Sequence, residues 1–328
     1  MAGGLTFGER MRLAIIEADR QRRAALASMK RAPLIGWGQR SARADQMLIL
    51  PPDVRIADPS FVRELEDGQL GLAEAVADIS RASAFEVTPP SAAWLRELHG
   101  FAWLRHLRAA QSDETRLIAR GMVREWIGRY AAHRGVPWET SVVARRVLSW
   151  MTHAGFLLDD TSADDYTFLT DSLGRQIVHL AASLHDSPPG YPRLLAIAAL
   201  VTADLCIAGH DERLERDVRT LRAELKRQVL ADGGHETRNP GVLVEIMLDL
   251  VPLRQCFLAR QQPVPDELAE AISGARGMLG HLRLGDGTIA RFNGMGATSP
   301  EALATIFSHE AHAGLEAVDR NGPSGYVR

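Results

Sequence analysis

Cysteine is almost absent from this chain of 328 residues. Cys206 and Cys256 are the two, each inside an apolar helical run, which excludes a disulfide framework and reads as buried thiols. An excess of positive charge is absent too. Lys and Arg number 38 against 41 Asp and Glu, for a formal net charge of −3 and a sequence pI near 6.4. The chain therefore lacks the basic field on which nucleic-acid binding draws, and no nucleic-acid partner is expected. No stretch approaches the roughly 18 to 20 apolar residues that span a bilayer. Residues 5–30 intersperse Met11, Leu13, Ile15 and Ile16 with Arg and Glu, instead of forming the uninterrupted apolar core of a signal peptide. A cytoplasmic chain without a membrane span is the expectation.

Common catalytic signatures are missing as well. There is no GxSxG elbow and no Rossmann fingerprint, and Gly285-Asp286-Gly287 is too short for a phosphate loop. His309-Glu310-Ala311-His312 spaces its histidines three apart, not four as on a zinc-binding HExxH helix, and no third ligand is evident. Neither a metal nor another cofactor is expected.

Helical periodicity is abundant. Apolar spacing predicts helices near 60–82, 91–110, 114–132, 139–155, 163–184, 191–207, 211–231, 240–260, 265–282 and 300–312. Capping or helix-breaking residues separate them: Pro89-Pro90-Ser91, Asp160-Thr161-Ser162, Ser187-Pro188-Pro189-Gly190, Gly233-Gly234, Pro263-Val264-Pro265 and Thr298-Ser299-Pro300. Regularly spaced helices with short loops and hardly any alternating β pattern predict an all-α array of antiparallel hairpins, for which an open or closed ring is one solution.

The most informative stretch runs from Leu230 to Gln255, LADGGHETRNPGVLVEIMLDLVPLRQ. Gly233-Gly234 breaks one helix, and Asn239-Pro240 starts another, Asn as a cap and Pro at the first helical position. The new helix buries Val242, Leu243, Ile246, Met247, Leu250 and Val251 on one face. His235, Glu236, Arg238 and Asn239 then occupy a short loop at a helix N-terminus, where free amides and the helix dipole favour an anion. The same residues also suit an ordinary capped turn between two helices.

The DGGH and RNP run, the helix ending in LDLVPLRQ, and Leu284-Gly285-Asp286-Gly287-Thr288-Ile289-Ala290-Arg291-Phe292-Asn293-Gly294 together resemble the heparinase II/III family of polysaccharide lyases. Three further stretches resemble its cytoplasmic-looking bacterial branch: Leu98 to Leu107 (LHGFAWLRHL), Ala144 to Trp150 (ARRVLSW) and Ser324-Gly325-Tyr326. The resemblance covers most of the chain from about Pro51 onward. It implies an (α/α) toroid, an incomplete barrel of antiparallel helix hairpins, over residues 51–322. An N-terminal arm would occupy 1–50, and 323–328 would begin a C-terminal β-sandwich domain missing from this chain. The implied chemistry is β-elimination on a uronic-acid-containing polysaccharide, which needs neutralisation of the uronate carboxylate, a base for the C5 proton and an acid for the leaving oxygen.

Carried over by motif, His235 and Asn239 are the catalytic candidates, as donors to the substrate carboxylate, with Arg238 as a second anion donor. Arg291 and Asn293 are expected to face the same cleft from a Gly-bracketed loop, which also reads as a tight turn. Trp103, His106, Arg145, Arg146 and Trp150 are expected to line a sugar groove, because aromatic faces and guanidinium groups suit acidic sugars; Trp150 also reads as core. The sequence departs from the family in having no tyrosine between Tyr191 and Tyr326. Two other readings therefore stand beside the lyase: a non-catalytic toroid that binds acidic carbohydrate, and an α-helical protein-interaction scaffold.

Overall fold

The computed structural model describes residues 44–131, 134–296, 298–309 and 322–326. Residues 1–43 of the arm expected over 1–50, the stretch 310–321 with His312, and residues 327–328 lie outside the described residues. The helices are α1 (Phe61–Glu66), α2 (Ala92–Gly100), α3 (Leu104–Ala109), α4 (Asp113–Tyr130), α5 (Thr140–Thr152), α6 (Ala154–Leu158), α7 (Ala163–Ser183), α8 (Tyr191–Cys206), α9 (Asp211–Gln228), α10 (Pro240–Ala259), α11 (Asp266–His281) and α12 (Pro300–His309). Among the described residues the sheet content is one antiparallel hairpin, β1 (Gln69–Leu72) and β2 (Ala75–Asp78).

Local signals account for most boundaries. The side chains of Ser91, Ser112, Ser162 and Asn239 each accept a hydrogen bond from a first-turn amide, capping α2, α4, α7 and α10. Each such cap is worth about 1 kcal/mol. The region expected to be one helix over 91–110 is two, because Phe101 adopts a left-handed φ of 58° that ends α2. The helix expected over 60–82 stops at Glu66. Leu70, Leu72 and Ala77 are instead buried on the hairpin, and the β-turn passes through Ala73 and Glu74, both at positive φ. An Ala-Glu turn has none of the Asn or Gly that usually mark a hairpin, so its residues read as helix.

The arrangement is an all-α toroid. Helices α2, α5, α8 and α10 pack side by side in that order, with α7, α9 and α11 against them. Helix α8 is buried continuously from Leu194 to Cys206, as expected of a helix apolar all round. Helix α9 has buried residues at Asp217, Leu221, Glu224, Leu225 and Gln228 and exposes most of its other side chains. No helix among the described residues is long and apolar enough to cross a membrane. Residues 46–48 lie against the end of α8, where Leu48 N–H donates to the Cys206 carbonyl at 2.7 Å and Ala208 N–H donates to the Gln46 carbonyl at 3.0 Å.

Helix α8 also carries a buried carboxyl near its end. Asp204 faces Arg213 Nε at 3.4 Å and His210 Nδ1 at 3.7 Å, and burial followed by the neighbouring Asp217 raises its pKa above the usual carboxyl range. The folded state then holds a proton that the unfolded chain releases, so stability falls as pH rises from about 4 toward the folded pKa. Asp204→Asn is expected to remove that slope. Its gain over the parent chain, about 1 kcal/mol or more, should appear in urea denaturation at about pH 8 and shrink at about pH 5. A gain independent of pH would show that Asp204 is ionised in the fold.

Candidate functional site

Two loops meet at the N-terminus of α10. In the first, Leu230 N–H donates to the Gly234 carbonyl at 2.7 Å, and Val229 and His235 form an isolated antiparallel bridge. Gly233 has φ +80°, and its missing side chain lets the Gly274 backbone of α11 approach. Asp232 accepts from Gly234 N–H at 3.0 Å and from both the N–H and hydroxyl of Ser324 at 2.7 Å, which holds residues 324–326 beside the turn. Asn239 caps α10 by accepting from Gly241 N–H at 2.8 Å, and Pro240 takes the first helical position, as the sequence predicts.

The second loop begins with a tight turn, in which Leu284 N–H donates to the Thr288 carbonyl at 2.8 Å and Asp286 accepts from the Thr288 amide and hydroxyl. The chain then turns back against α10. Asn293 Nδ2 donates to the Arg238 carbonyl at 2.7 Å, and Asn239 Nδ2 donates to the Asn293 carbonyl at 3.1 Å. The Tyr326 hydroxyl also donates to the Arg238 carbonyl, and its ring lies 5.4 Å from that of Phe292. Arg238 and Asn293 both adopt left-handed φ values, 54° and 47°. Such backbone is unfavourable for a residue with a side chain, and here it is held by reciprocal hydrogen bonds across the two loops.

Arg238, Asn239 and Asn293 thus come together on one rim, joined by Tyr326 and Phe292, and Arg291 lies on the same loop as Asn293. The side chains of Arg238 and Arg291 are exposed, with no ion-pair partner among the described residues. His235 is not part of the rim surface. It is 1 % exposed, its Nδ1 faces the Thr237 hydroxyl at 2.8 Å, and its Nε2 lies 3.1 Å from Gln228 Oε1. Thr237 N–H donates to Nδ1, which assigns the proton to Nε2 and makes that nitrogen the donor to Gln228. Burial, and then nearby Arg227, lower the imidazole pKa to about 4, so His235 is a neutral brace under the loop.

The expected sugar groove of Trp103, His106, Arg146 and Trp150 is corrected by packing. Trp103 is 1 % exposed and donates to the Leu98 carbonyl. Trp150 is 3 % exposed and meets Phe101 and Trp126 edge-on at 5.6 and 5.7 Å. Arg146 is fully buried: its guanidinium lies 3.9 Å from the Trp126 ring and donates to Gln176 Oε1 and to the His99 and Pro137 carbonyls. His106 stacks on Phe61 at 4.7 Å and accepts from Asp58 N–H; burial, and then Arg105, lower its pKa to about 4. These four build the core and the seat of α1.

What the sequence reading missed is an ionic wall inside the toroid. Glu245 and Asp249, four apart on the largely apolar α10, face Arg55 and Arg145. Asp249 accepts from Arg145 at 2.6 and 3.0 Å, from Arg55 at 3.0 Å and from the Tyr191 hydroxyl at 2.7 Å. Burial raises the Asp249 carboxyl, but Arg145 and then Arg55 overcome this and hold it at about 2. Burial pushes the Tyr191 phenol up, so it remains a donor. The legible signal was a pair of carboxylates at helical spacing inside a buried helix, which must meet cations.

No protein-family model matches the chain. It is 27% identical over 285 residues to FtsZ-localized protein C of Caulobacter vibrioides, across 87% of this chain and 49% of that protein. Among solved structures it is similar to heparinase III (TM-score 0.65, 14% identity, 90% of this chain and 50% of the other). It is also similar to heparan sulfate lyase HepC from Pedobacter heparinus (TM-score 0.52, 17% identity, 75% and 42%). The chain spans about half the length of these proteins. Its helical toroid is similar to that of heparinase III and of HepC, a likeness of fold.

Proposed function

We propose that the chain is the toroid of a heparinase II/III-like polysaccharide lyase, whose rim at the start of α10 binds the carboxylates of a uronic-acid-containing polysaccharide. Support comes from one observation above all: the loops that carry the exposed Arg238 and Arg291 are joined at a helix N-terminus by hydrogen bonds from Asn239 to the Asn293 carbonyl and from Asn293 to the Arg238 carbonyl. Guanidinium groups hold carboxylates in two-pronged geometry, and the helix end adds favourable charge. Phe292 offers a partly exposed ring against which a sugar can lie.

Proton transfer is less well provided for. His235 is buried and neutral, and the Tyr326 phenol, pushed up by burial, donates to the Arg238 carbonyl. A protonated phenol can give a proton to the leaving oxygen but cannot take the C5 proton. The rim residues described here therefore bind and orient, and the base comes from outside this rim. In this reading residues 51–322 are the toroid, 1–50 an arm, and 323–328 the approach to a β-sandwich.

Titration with heparan sulfate and oligogalacturonate fragments, followed by calorimetry, tests the binding step. The double variant Arg238→Ala, Arg291→Ala is expected to weaken binding about tenfold or more, since each charge-assisted hydrogen bond contributes about 1.5–3 kcal/mol. Unchanged affinity would remove the rim. Growth of the ultraviolet band of an unsaturated uronate during incubation would separate cleavage from binding alone. A second reading, an interaction module acting where FtsZ assembles, is favoured by the 27% likeness to FtsZ-localized protein C. Co-sedimentation with FtsZ polymers tests it, and no enrichment in the pellet would sink it.

A further inference from the structure

Helices α8 and α10 bring the chain's two cysteines together. Cys206 is the last residue of α8, Cys256 lies in the last turn of α10, and the two are 50 positions apart in the chain. Their Sγ atoms nevertheless lie 3.9 Å apart, with one thiol donating to the other. Both are wholly buried and both are free thiols.

We propose that Cys206 and Cys256 are a redox pair, which hydrogen peroxide oxidises to a reversible disulfide that staples the end of α8 to the end of α10. A disulfide needs an S–S separation of about 2.05 Å, so the sulfurs must close by about 1.9 Å. Cys206 sits where α8 gives way to extended backbone at Ile207, φ −112° and ψ 132°, so the closure does not have to bend a helix interior. A short strap holds that end in register: Leu48 N–H donates to the Cys206 carbonyl at 2.7 Å, and Met47 bridges Ile207. The hydrogen bond to Cys256, and then burial, push the Cys206 thiol above its ordinary pKa, with the Arg260 guanidinium pulling against them. The thiolate is the reactive form, so the closed fold reacts slowly and oxidation proceeds through brief local opening at the end of α8.

The chemistry needs only the two sulfurs and the oxidant. The Cys206 thiolate attacks one peroxide oxygen, the O–O bond breaks, and the departing hydroxide takes up the released proton and leaves as water. The Cys256 sulfur then attacks the sulfenic sulfur: the S–S bond forms, the S–O bond breaks, and a second water leaves with the Cys256 proton. Two thiols have lost two electrons and two protons, and the peroxide has become two waters. The closed loop contains α9, the turn of His235 and most of α10, so the bond constrains the part of the chain that carries Arg238 and Asn239.

The test treats the full chain with hydrogen peroxide under native conditions and maps its peptides without reduction. The expected product is lighter by two hydrogens, joins the Cys206 and Cys256 peptides, and reverts with dithiothreitol. It should keep its helical circular dichroism and melt about 5 °C or more above the reduced chain, because a cross-link over so long a loop restricts the unfolded state. Cys206→Ala and Cys256→Ala should each abolish both the bridge and the peroxide-dependent rise in melting temperature. None of these readouts depends on what the rim binds. Oxidation to sulfinic acid without a bridge, a bridge only between two chains, no reaction after prolonged exposure, or a bridged chain that melts below the reduced one would each overturn the proposal.

Discussion

Asp249→Ala is expected to destabilise the chain by about 3–5 kcal/mol, because it leaves two buried cations without their main counter-ion. The Asp249 side chain is 5 % exposed and is the acceptor shared by Arg55, Arg145 and Tyr191. Glu245 remains, yet its side chain is 42 % exposed and it reaches Arg145 only at 3.8 Å, so it cannot neutralise both guanidinium groups. Removing both sides of the pair should be milder: Arg145→Met with Asp249→Leu replaces buried charge by packed apolar surface. Urea denaturation of the single and double variants decides the matter. A loss below about 1 kcal/mol in Asp249→Ala would mean that water reaches the guanidinium groups and that the wall is open to solvent.

The same carboxylate predicts a pH dependence of definite sign. Its folded pKa of about 2 lies below the unfolded reference of 3.8, so the stabilisation is fully present above about pH 4 and is lost as pH falls through 2. The difference corresponds to about 2 kcal/mol. The parent chain should lose this increment on acidification, and Asp249→Ala should not.

Gly233→Ala should produce the next largest effect, about 2–4 kcal/mol, through a contact with no counterpart in side-chain packing. A Cβ at this position would lie 2.0 Å from the Gly274 carbonyl oxygen and 2.3 Å from its carbon, and φ is +80°. Both obstacles are backbone, so relief requires α11 to move away from the turn that carries the rim. Gly209→Ala is the control. It has a similar φ of +76° but meets nothing within 4 Å, so only the left-handed strain of about 1–2 kcal/mol applies. If the two variants unfold at the same urea concentration, the close approach of the turn to α11 is not tight. If they differ as expected, the glycan binding proposed for the rim should also weaken in Gly233→Ala and not in Gly209→Ala.

Legibility in the sequence followed the range of the forces involved. The start of α10 was readable to the residue, since an Asn cap and a first-position Pro act within one turn of backbone. The bounds of α7, α8, α9 and α11 lie within a few residues of the expected ranges for the same reason. The hairpin at 69–78 was not legible, because Leu70, Leu72 and Ala77 become a buried face only once Trp94 of α2 packs there and donates to the Leu70 carbonyl. The adjacent Arg145 and Arg146 make the same point. Consecutive helix positions point about 100° apart, which sends one guanidinium to Asp249 and the other into the tryptophan cluster. Their order of roles depends on where α10 and α4 lie.

By itself, then, the sequence determined an all-α chain of capped helices, carried by contacts between near neighbours, and its resemblance pointed to the loops at 235–239 and 291–293. Tertiary structure alone decided that His235 is buried beneath the rim while Arg238, Asn239, Asn293 and Tyr326 converge on it. It alone paired Arg55 and Arg145 with Glu245 and Asp249. Those outcomes turn on burial and on charges brought together from segments as many as 194 residues apart. Desolvation makes such pairings obligatory, but it acts only where the fold has already removed water.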